Sequence, residues 1–378
     1  MKQLTFLVKP SSSLCNMRCR YCFYEDISEH RSAKSYGFMS QETAEALVRA
    51  AFDSIDPGGT LTFAFQGGEP TLIGLPFYEA FLALESKYIK PGVTVHHAIQ
   101  TNGQTLDESW ALFFRKHQFL VGLSVDGTKD LHDLYRIGPD HNGTWKTVTK
   151  ALSLLEKHSV EVNLLCVVTK QCARSGQKVY QSLKKLGVRY LQFIPCLDPM
   201  EDPRGAAPYS LTPDAYGHFL CALFDAWYLD WKAGQYVSVR LFDDYAPLLL
   251  GQPSGSCATS GHCGNYLVVE GDGSFYPCDF YVFDDWRLGN VLHQSPVEAC
   301  SCERACKFLS DGDARPDACS ACPWHSLCLG GCKRDWYETE GQRKNYYCPA
   351  FQMFFAYAYP RLQEIARAEY LAMHRLHP

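Results

Sequence analysis

Cys15-Asn16-Met17-Arg18-Cys19-Arg20-Tyr21-Cys22-Phe23 sets three thiols at the spacing Cys-x-x-x-Cys-x-x-Cys. Three thiolates can hold three irons of a cubane 4Fe–4S cluster and leave the fourth iron open to a ligand that is not protein. Structural zinc sites close with four protein ligands, and Cys-x-x-Cys redox pairs need two thiols, so the trio fits neither pattern. Tyr21 stands just before the third cysteine, and Phe23 and Tyr24 just after it. An aromatic ring at Tyr21 can pack on a flat ligand ring such as adenine.

Outward from this loop, β-rich runs alternate with amphipathic stretches. The runs are Leu4–Val8, Thr60–Gln66, Val93–Thr101, Phe119–Ser124, Val160–Val168 and Tyr190–Pro195. The second leads into Gly67-Gly68-Glu69-Pro70, where two glycines after a strand let the backbone approach a ligand closely. Ser40 is placed to cap a helix over Gln41–Ser54, in which Ala44, Leu47 and Val48 recur at helical spacing. Val148, Leu152 and Leu155 mark another face, as do Tyr180, Leu183 and Leu186. Strands mostly followed by helical patterns predict an α/β fold of parallel βα repeats, whose chemistry sits at the C-terminal strand ends. Both the cysteine loop and the glycine turn would lie there. Asp214–Ala233 reads as a long helix. Beyond about residue 250, Gly, Cys and turn residues dominate until an apolar-aromatic and then helical tail, Phe351–Arg375. The predicted division is 1–240, a barrel domain; 241–350, a cysteine-rich domain; and 351–378, a C-terminal helix.

The chain has 378 residues, 46% hydrophobic and 20% charged, with a net charge of −5. This mild acidity gives no footing for nucleic acid or an anionic membrane, and no apolar run reaches the length of a membrane span. The opening MKQLTFLVKP reads as a first strand, because Lys9-Pro10 interrupts its apolar stretch too early for a signal segment. Eighteen cysteines are the outlier. They group in metal-ligand spacings, which points to a reducing, anoxic cytoplasm and not to a disulfide scaffold. Cys257, Cys263, Cys278, Cys319, Cys322, Cys328, Cys332 and Cys348 suffice for two complete 4Fe–4S clusters, with zinc as the alternative. Cys166, Cys172, Cys196 and Cys221 read as packed thiols. Cys300, Cys302 and Cys306 lie in a stretch, Val297–Leu309, that reads as helix more than as cluster loop.

The cysteine loop together with GGEP resembles the radical S-adenosylmethionine enzymes. The resemblance implies a partial (β/α)6 TIM-like barrel in which the cofactor's methionine end chelates the open iron. The block Cys319-x2-Cys322-x5-Cys328-x3-Cys332 with Cys348, and the earlier Cys257, Cys263 and GDGSFYPC, resemble the SPASM extension. That family pattern implies one auxiliary cluster on Cys257, Cys263, Cys278 and Cys332, and another on Cys319, Cys322, Cys328 and Cys348; spacing alone leaves the partition open. More closely, LVKPSSSLCNMRCRYCFY, FAFQGGEPTL, Ile99-Gln100-Thr101-Asn102-Gly103, GLSVDG, LLCVVT, LQFIPCLDP and YPCDFYVFDDWRLGN are similar to the anaerobic sulfatase-maturating enzymes.

That resemblance implies radical oxidation of a cysteine or serine in a sulfatase to Cα-formylglycine. S-adenosylmethionine and three 4Fe–4S clusters would serve the reaction, with flavodoxin or ferredoxin as electron donor. The partner would be a Cys/Ser-x-Pro/Ala-x-Arg segment of the sulfatase. Asp279 matches the family's general base. Tyr21, Gly67, Gly68, Glu69, Ser124, Arg136 and Leu197 match its cofactor contacts: Tyr21 and Leu197 flank the adenine, Ser124 bonds a polar part, and Arg136 pairs with the methionine carboxylate. Tyr24 and Gln66 are candidates to face the substrate. The competing enzyme is a SPASM maturase that forms a thioether or carbon–carbon crosslink in a ribosomal peptide. A non-catalytic iron–sulfur carrier would need neither GGEP nor Arg136.

Overall fold

The computed structural model describes residues 1–264 and 266–376. Its principal strands are β1 (Gln3–Val8), β2 (Thr60–Phe65), β3 (Thr94–Thr101), β4 (Leu120–Ser124), β5 (Glu161–Val168), β6 (Tyr190–Pro195), β7 (Ser238–Val239), β8 (Leu267–Val269), β9 (Ser274–Tyr276) and β10 (Gly289–Asn290). Contacts divide the chain into two compact units. The first comprises 1–124, 132–163 and 264–309, and the second 125–131, 164–263 and 310–378.

In the first unit β1 pairs with β2, β2 with β3 and β3 with β4, all parallel. β8 adds in parallel to the other side of β1, and β9 and β10 follow antiparallel. β1 is thus a central strand, and Phe6 and Val8 on one face and Leu7 on the other are all buried, as a strand covered on both faces requires. Phe6 stacks on Phe63 of β2 at 5.6 Å, across matched register. Phe65 and Phe81 meet edge to face at 5.2 Å, extending the same core. Ser40 caps the helix Gln41–Ser54 by accepting from Thr43 N at 3.0 Å, and that helix buries Ala44, Leu47, Val48 and Ala51.

In the second unit β5 pairs with β6 and β6 with β7, both parallel. The helix Pro213–Lys232 packs against the helix Cys348–Leu376 through Tyr216 with Phe351 and Phe224 with Phe354. A small hairpin, Trp336–Thr339 with Gln342–Asn345, lies in the same unit.

Residues 264–309 pack with the N-terminal strands through β8–β10, which are too short to show a period-two signal. The expected helix over 297–309 breaks at Cys302 into Pro296–Ser301 and Glu303–Asp313. Among the described residues no helix is long and apolar enough to cross a membrane.

Candidate active site

The cysteine loop leaves β1 at Lys9 and turns at once, with Ser12 N donating to Lys9 O at 3.0 Å and Leu14 N to Ser11 O at 2.9 Å. It ends at Cys22, which immediately precedes the helix Phe23–Glu29. The turn after β2 braces it: Gly68 N donates to Ser12 O at 2.9 Å and Glu69 N to Leu14 O at 2.8 Å. The glycines therefore serve a close approach to the cysteine loop itself. A Cβ on Gly68 would stand 2.2 Å from Leu14 O, and one on Gly67, at φ +115°, 2.8 Å from Ser12 O. With those amides engaged, carbonyl oxygens are what this turn can offer a ligand.

Glu69 is 1% exposed. Its Oε1 accepts from Thr71 N (3.1 Å), Thr71 Oγ1 (2.5 Å) and Thr101 Oγ1 (2.7 Å), and its Oε2 from Asn102 N (2.8 Å). Burial pushes this carboxyl up, and the donors oppose the shift. The Glu69 side chain is thus an internal brace. Arg136 lies over the Tyr21 ring at 5.5 Å, and both are buried. Ser124 ends β4, buried. Leu197 follows β6 in the second unit, half-buried.

The donor set at this loop fits an iron–sulfur cluster. Burial pushes the Cys15 thiol up to about 12, and burial raises Cys22 as well, so a thiolate there needs a cation beside it. Two N–H groups nevertheless aim at Cys15 Sγ: Met17 N at 3.4 Å and Asn102 Nδ2 at 3.8 Å. Donors directed at sulfur suit a ligating thiolate.

Asp279 belongs to the same unit. It follows Cys278 beyond β9, opens the short turn Asp279–Tyr281, and is 3% exposed. Oδ2 accepts from Tyr24 Oη at 2.6 Å and from Gln66 Nε2 at 3.1 Å, and Gln66 Nε2 also reaches Tyr24 Oη at 2.6 Å. Oδ1 lies 2.9 Å from Lys9 Nζ. The three residues Tyr24, Gln66 and Asp279, singled out in the sequence, thus converge.

Three further participants carried no local signal. Lys9 is 2% exposed, with Nζ 3.9 Å from Glu270 Oε1 and 4.6 Å from the Tyr24 ring centre. Glu270 Oε1 accepts from Arg31 Nη1 at 2.7 Å, and Arg31 also donates to Ser12 Oγ and Lys34 O. Burial works to raise the Glu270 carboxyl, but Lys9 and Arg31 together hold it below the usual carboxylate range. Two buried cations thus face two buried carboxylates, a balance that such burial demands. Burial, reinforced by the Asp279 charge, pushes the Tyr24 phenol far up, so Tyr24 remains a donor.

No disulfide joins any of the eighteen cysteines, all of which are among the described residues. In the second unit, burial pushes Cys328 up to about 12, and Cys348, Cys319 and Cys322 push it the same way. Burial raises Cys348 and Cys319 too, again with help from their neighbours in this set. These four thiols lie within electrostatic reach of one another. Cys263, raised mainly by burial, feels Cys257. Cys332 immediately precedes the turn Lys333–Asp335. Cys278, in the first unit, has Tyr266 Oη 3.6 Å from its sulfur. Cys166, Cys172 and Cys196 are buried and Cys221 is half-buried, while Cys300, Cys302 and Cys306 lie along the broken helix.

A profile of the Radical SAM superfamily matches residues 10–171, and one of the SPASM iron–sulfur cluster-binding domain matches 261–323. The class is therefore a radical S-adenosylmethionine oxidoreductase of the α/β type, a partial (β/α)6 barrel with a SPASM domain, using S-adenosylmethionine and three 4Fe–4S clusters. The chain is 42% identical to a cysteine-type anaerobic sulfatase-maturating enzyme of Clostridium novyi, over 97% of this chain and 98% of that one. A serine-type enzyme of Bacteroides thetaiotaomicron is 31% identical, over 95% and 90%. The solved structure of native anSMEcpe with bound AdoMet and Kp18Cys peptide superposes with a TM-score of 0.91 at 43% identity, covering 97% of this chain and 99% of that one. The chain belongs to the anaerobic sulfatase-maturating enzymes.

Proposed function

We propose that this protein oxidises a cysteine side chain in a sulfatase polypeptide to Cα-formylglycine. The observation that carries the reading is Asp279: a buried carboxylate, hydrogen-bonded at Oδ2, ion-paired at Oδ1 and next in sequence to Cys278. Cys15, Cys19 and Cys22 would hold the cofactor-binding cluster. Cys257, Cys263, Cys278 and Cys332 would hold one auxiliary cluster, and Cys319, Cys322, Cys328 and Cys348 the other. The mutual influence of the last four thiols supports that partition. Tyr21, Arg136, Ser124, Leu197 and the carbonyls of the Gly67-Gly68-Glu69 turn would seat S-adenosylmethionine. When bound, these groups supply a primary carbon radical for hydrogen abstraction and an acceptor for the electron released afterwards.

The chain's own residues do the rest. Asp279 takes a proton from the target at Oδ1 or Oδ2 as the side chain is oxidised. Lys9 and Tyr24 keep its charge in place before the substrate arrives, and Gln66 fixes the Tyr24 hydroxyl. Oxidation of cysteine removes two electrons and two protons, and hydrolysis of the resulting thioaldehyde releases sulfide and leaves the aldehyde. The 42% identity to a cysteine-type relative, against 31% to a serine-type one, favours cysteine as target. It also favours aldehyde formation over peptide crosslinking. The substrate would be an unfolded Cys-x-Pro/Ala-x-Arg segment, the electron donor a flavodoxin or ferredoxin, and the compartment the cytoplasm. The functional division would be 1–240, 241–350 and 351–378.

The test is anaerobic reaction of the reconstituted protein with cysteine and serine versions of such a peptide, followed by hydrazide capture. A captured aldehyde from the cysteine peptide is expected. A two-hydrogen loss without capture would indicate a crosslink and refute the proposal.

A further inference from the structure

Asn102 has no part in the chemistry above, yet its side chain is fixed at both ends. Oδ1 accepts from Gln104 N at 2.9 Å, which settles which end of the amide is oxygen. Nδ2 therefore faces the cysteine loop, 2.8 Å from Asn16 Oδ1 and 3.8 Å from Cys15 Sγ. The backbone beneath is held as firmly, since Asn102 N donates to Glu69 Oε2 at 2.8 Å and the neighbouring Thr101 hydroxyl to Glu69 Oε1 at 2.7 Å. The enclosed Glu69 carboxylate thus links the turn after β2 to the end of β3, and through it sets the Asn102 amide against Cys15.

We propose that Asn102 is a positioning residue that tunes the cofactor-binding cluster through Cys15. Together with Met17 N, at 3.4 Å, it gives the Cys15 sulfur two N–H donors. Donors to a ligating sulfur stabilise the added negative charge of the reduced cluster, so they raise its reduction potential. The cluster must be reduced by an external donor before it can act, and each such N–H eases that step. Asn102 does not touch the reacting atoms. This inference rests on Cys15 being a ligand of that cluster.

The experiment is a potentiometric EPR titration of the anaerobically purified holoenzyme, with iron quantified in each variant. The relevant signal is the one that changes when S-adenosylmethionine is added. Asn102→Asp keeps the shape and the acceptor for Gln104 N but replaces the donor by a negative oxygen. Asn102→Leu removes both. In both variants the midpoint potential of the responsive signal is expected to fall, further in Asn102→Asp, with iron content and the other two signals unchanged. Asn16→Ala removes only the second acceptor of Asn102, and its potential is expected to stay near that of the parent.

An unchanged potential in both Asn102 variants would overturn the proposal. Loss of the responsive cluster from both would do so too, since Asn102 would then be holding the loop together and not tuning a sulfur. A Cys15→Ala protein that kept the responsive signal would overturn the premise, and so separates a wrong ligand assignment from a wrong role for Asn102.

Discussion

Asp279→Asn removes a charge and keeps a shape, and its consequences can be worked through atom by atom. In the parent, Oδ1 faces the Lys9 ammonium at 2.9 Å while Oδ2 accepts from Tyr24 at 2.6 Å and Gln66 at 3.1 Å. An amide has one oxygen. Turned to Lys9, its NH2 confronts the NH2 of Gln66; turned to Tyr24 and Gln66, its NH2 confronts the ammonium. Either way a buried donor loses its acceptor, at about 1–3 kcal/mol. Lys9 and Arg31 are then left with Glu270 as their buried carboxylate, so stability falls as well. Loss of a general base lowers the rate of the step it serves ~10²–10⁴-fold, a barrier increase of about 3–5 kcal/mol. On the proposed assignment, cofactor cleavage would draw on Cys15, Cys19, Cys22 and the Tyr21–Arg136 pair, none of which this change touches. The variant should therefore release 5′-deoxyadenosine at close to the parental rate and make little aldehyde. Chromatography with mass detection reads the first product, and hydrazide capture the second. Parental aldehyde yield from a variant with intact clusters would refute Asp279 as the base.

Further expectations follow from the same geometry. Alanine at Cys15, Cys19 or Cys22 should abolish 5′-deoxyadenosine release and remove about four irons per chain from the anaerobic iron count. Cys348→Ala should lower both iron content and thermal midpoint, since cluster binding is folding energy in a cysteine-rich region; an unchanged iron count would remove it as a ligand. Glu270→Gln breaks a buried pair with Arg31 and should cost about 3–5 kcal/mol near neutral pH. The Glu270 carboxyl is held below its usual range, so the stability it contributes is present above the unfolded carboxylate value of about 4.3 and is lost as pH falls through the lower folded value. The gap between parent and variant in denaturant unfolding should accordingly close only toward acid.

The sequence disclosed the site better than the frame that supports it. The cysteine loop and the GGEP turn are short contiguous motifs, and their position at strand ends follows from β1 and β2, whose runs are legible as buried strands. Gln41–Ser54 was legible because Ser40 caps it and its apolar residues keep one face. Glu69 stood out in the sequence, but its enclosure by Thr71, Thr101 and Asn102 depends on where β3 ends, which no spacing discloses. Lys9 looked like the end of a strand; only the return of residues 270–279 to β1 sets it between Glu270 and Asp279. β8 and β9, at three residues each, are too short to carry a periodic signal, so their place beside β1 is not legible in the sequence. Arg31 likewise gains meaning from a partner 239 residues away.

On the proposed function, the target Cβ beside Asp279 would give up a hydrogen to the cofactor that Cys15, Cys19 and Cys22 would hold through their cluster. The most direct measurement uses a Cys-x-Pro-x-Arg peptide whose cysteine carries deuterium on Cβ, incubated anaerobically with holoenzyme, reductant and S-adenosylmethionine. Deuterium recovered in 5′-deoxyadenosine, in step with captured aldehyde, is the predicted result. Aldehyde formed while the 5′-deoxyadenosine stays free of deuterium would contradict the account.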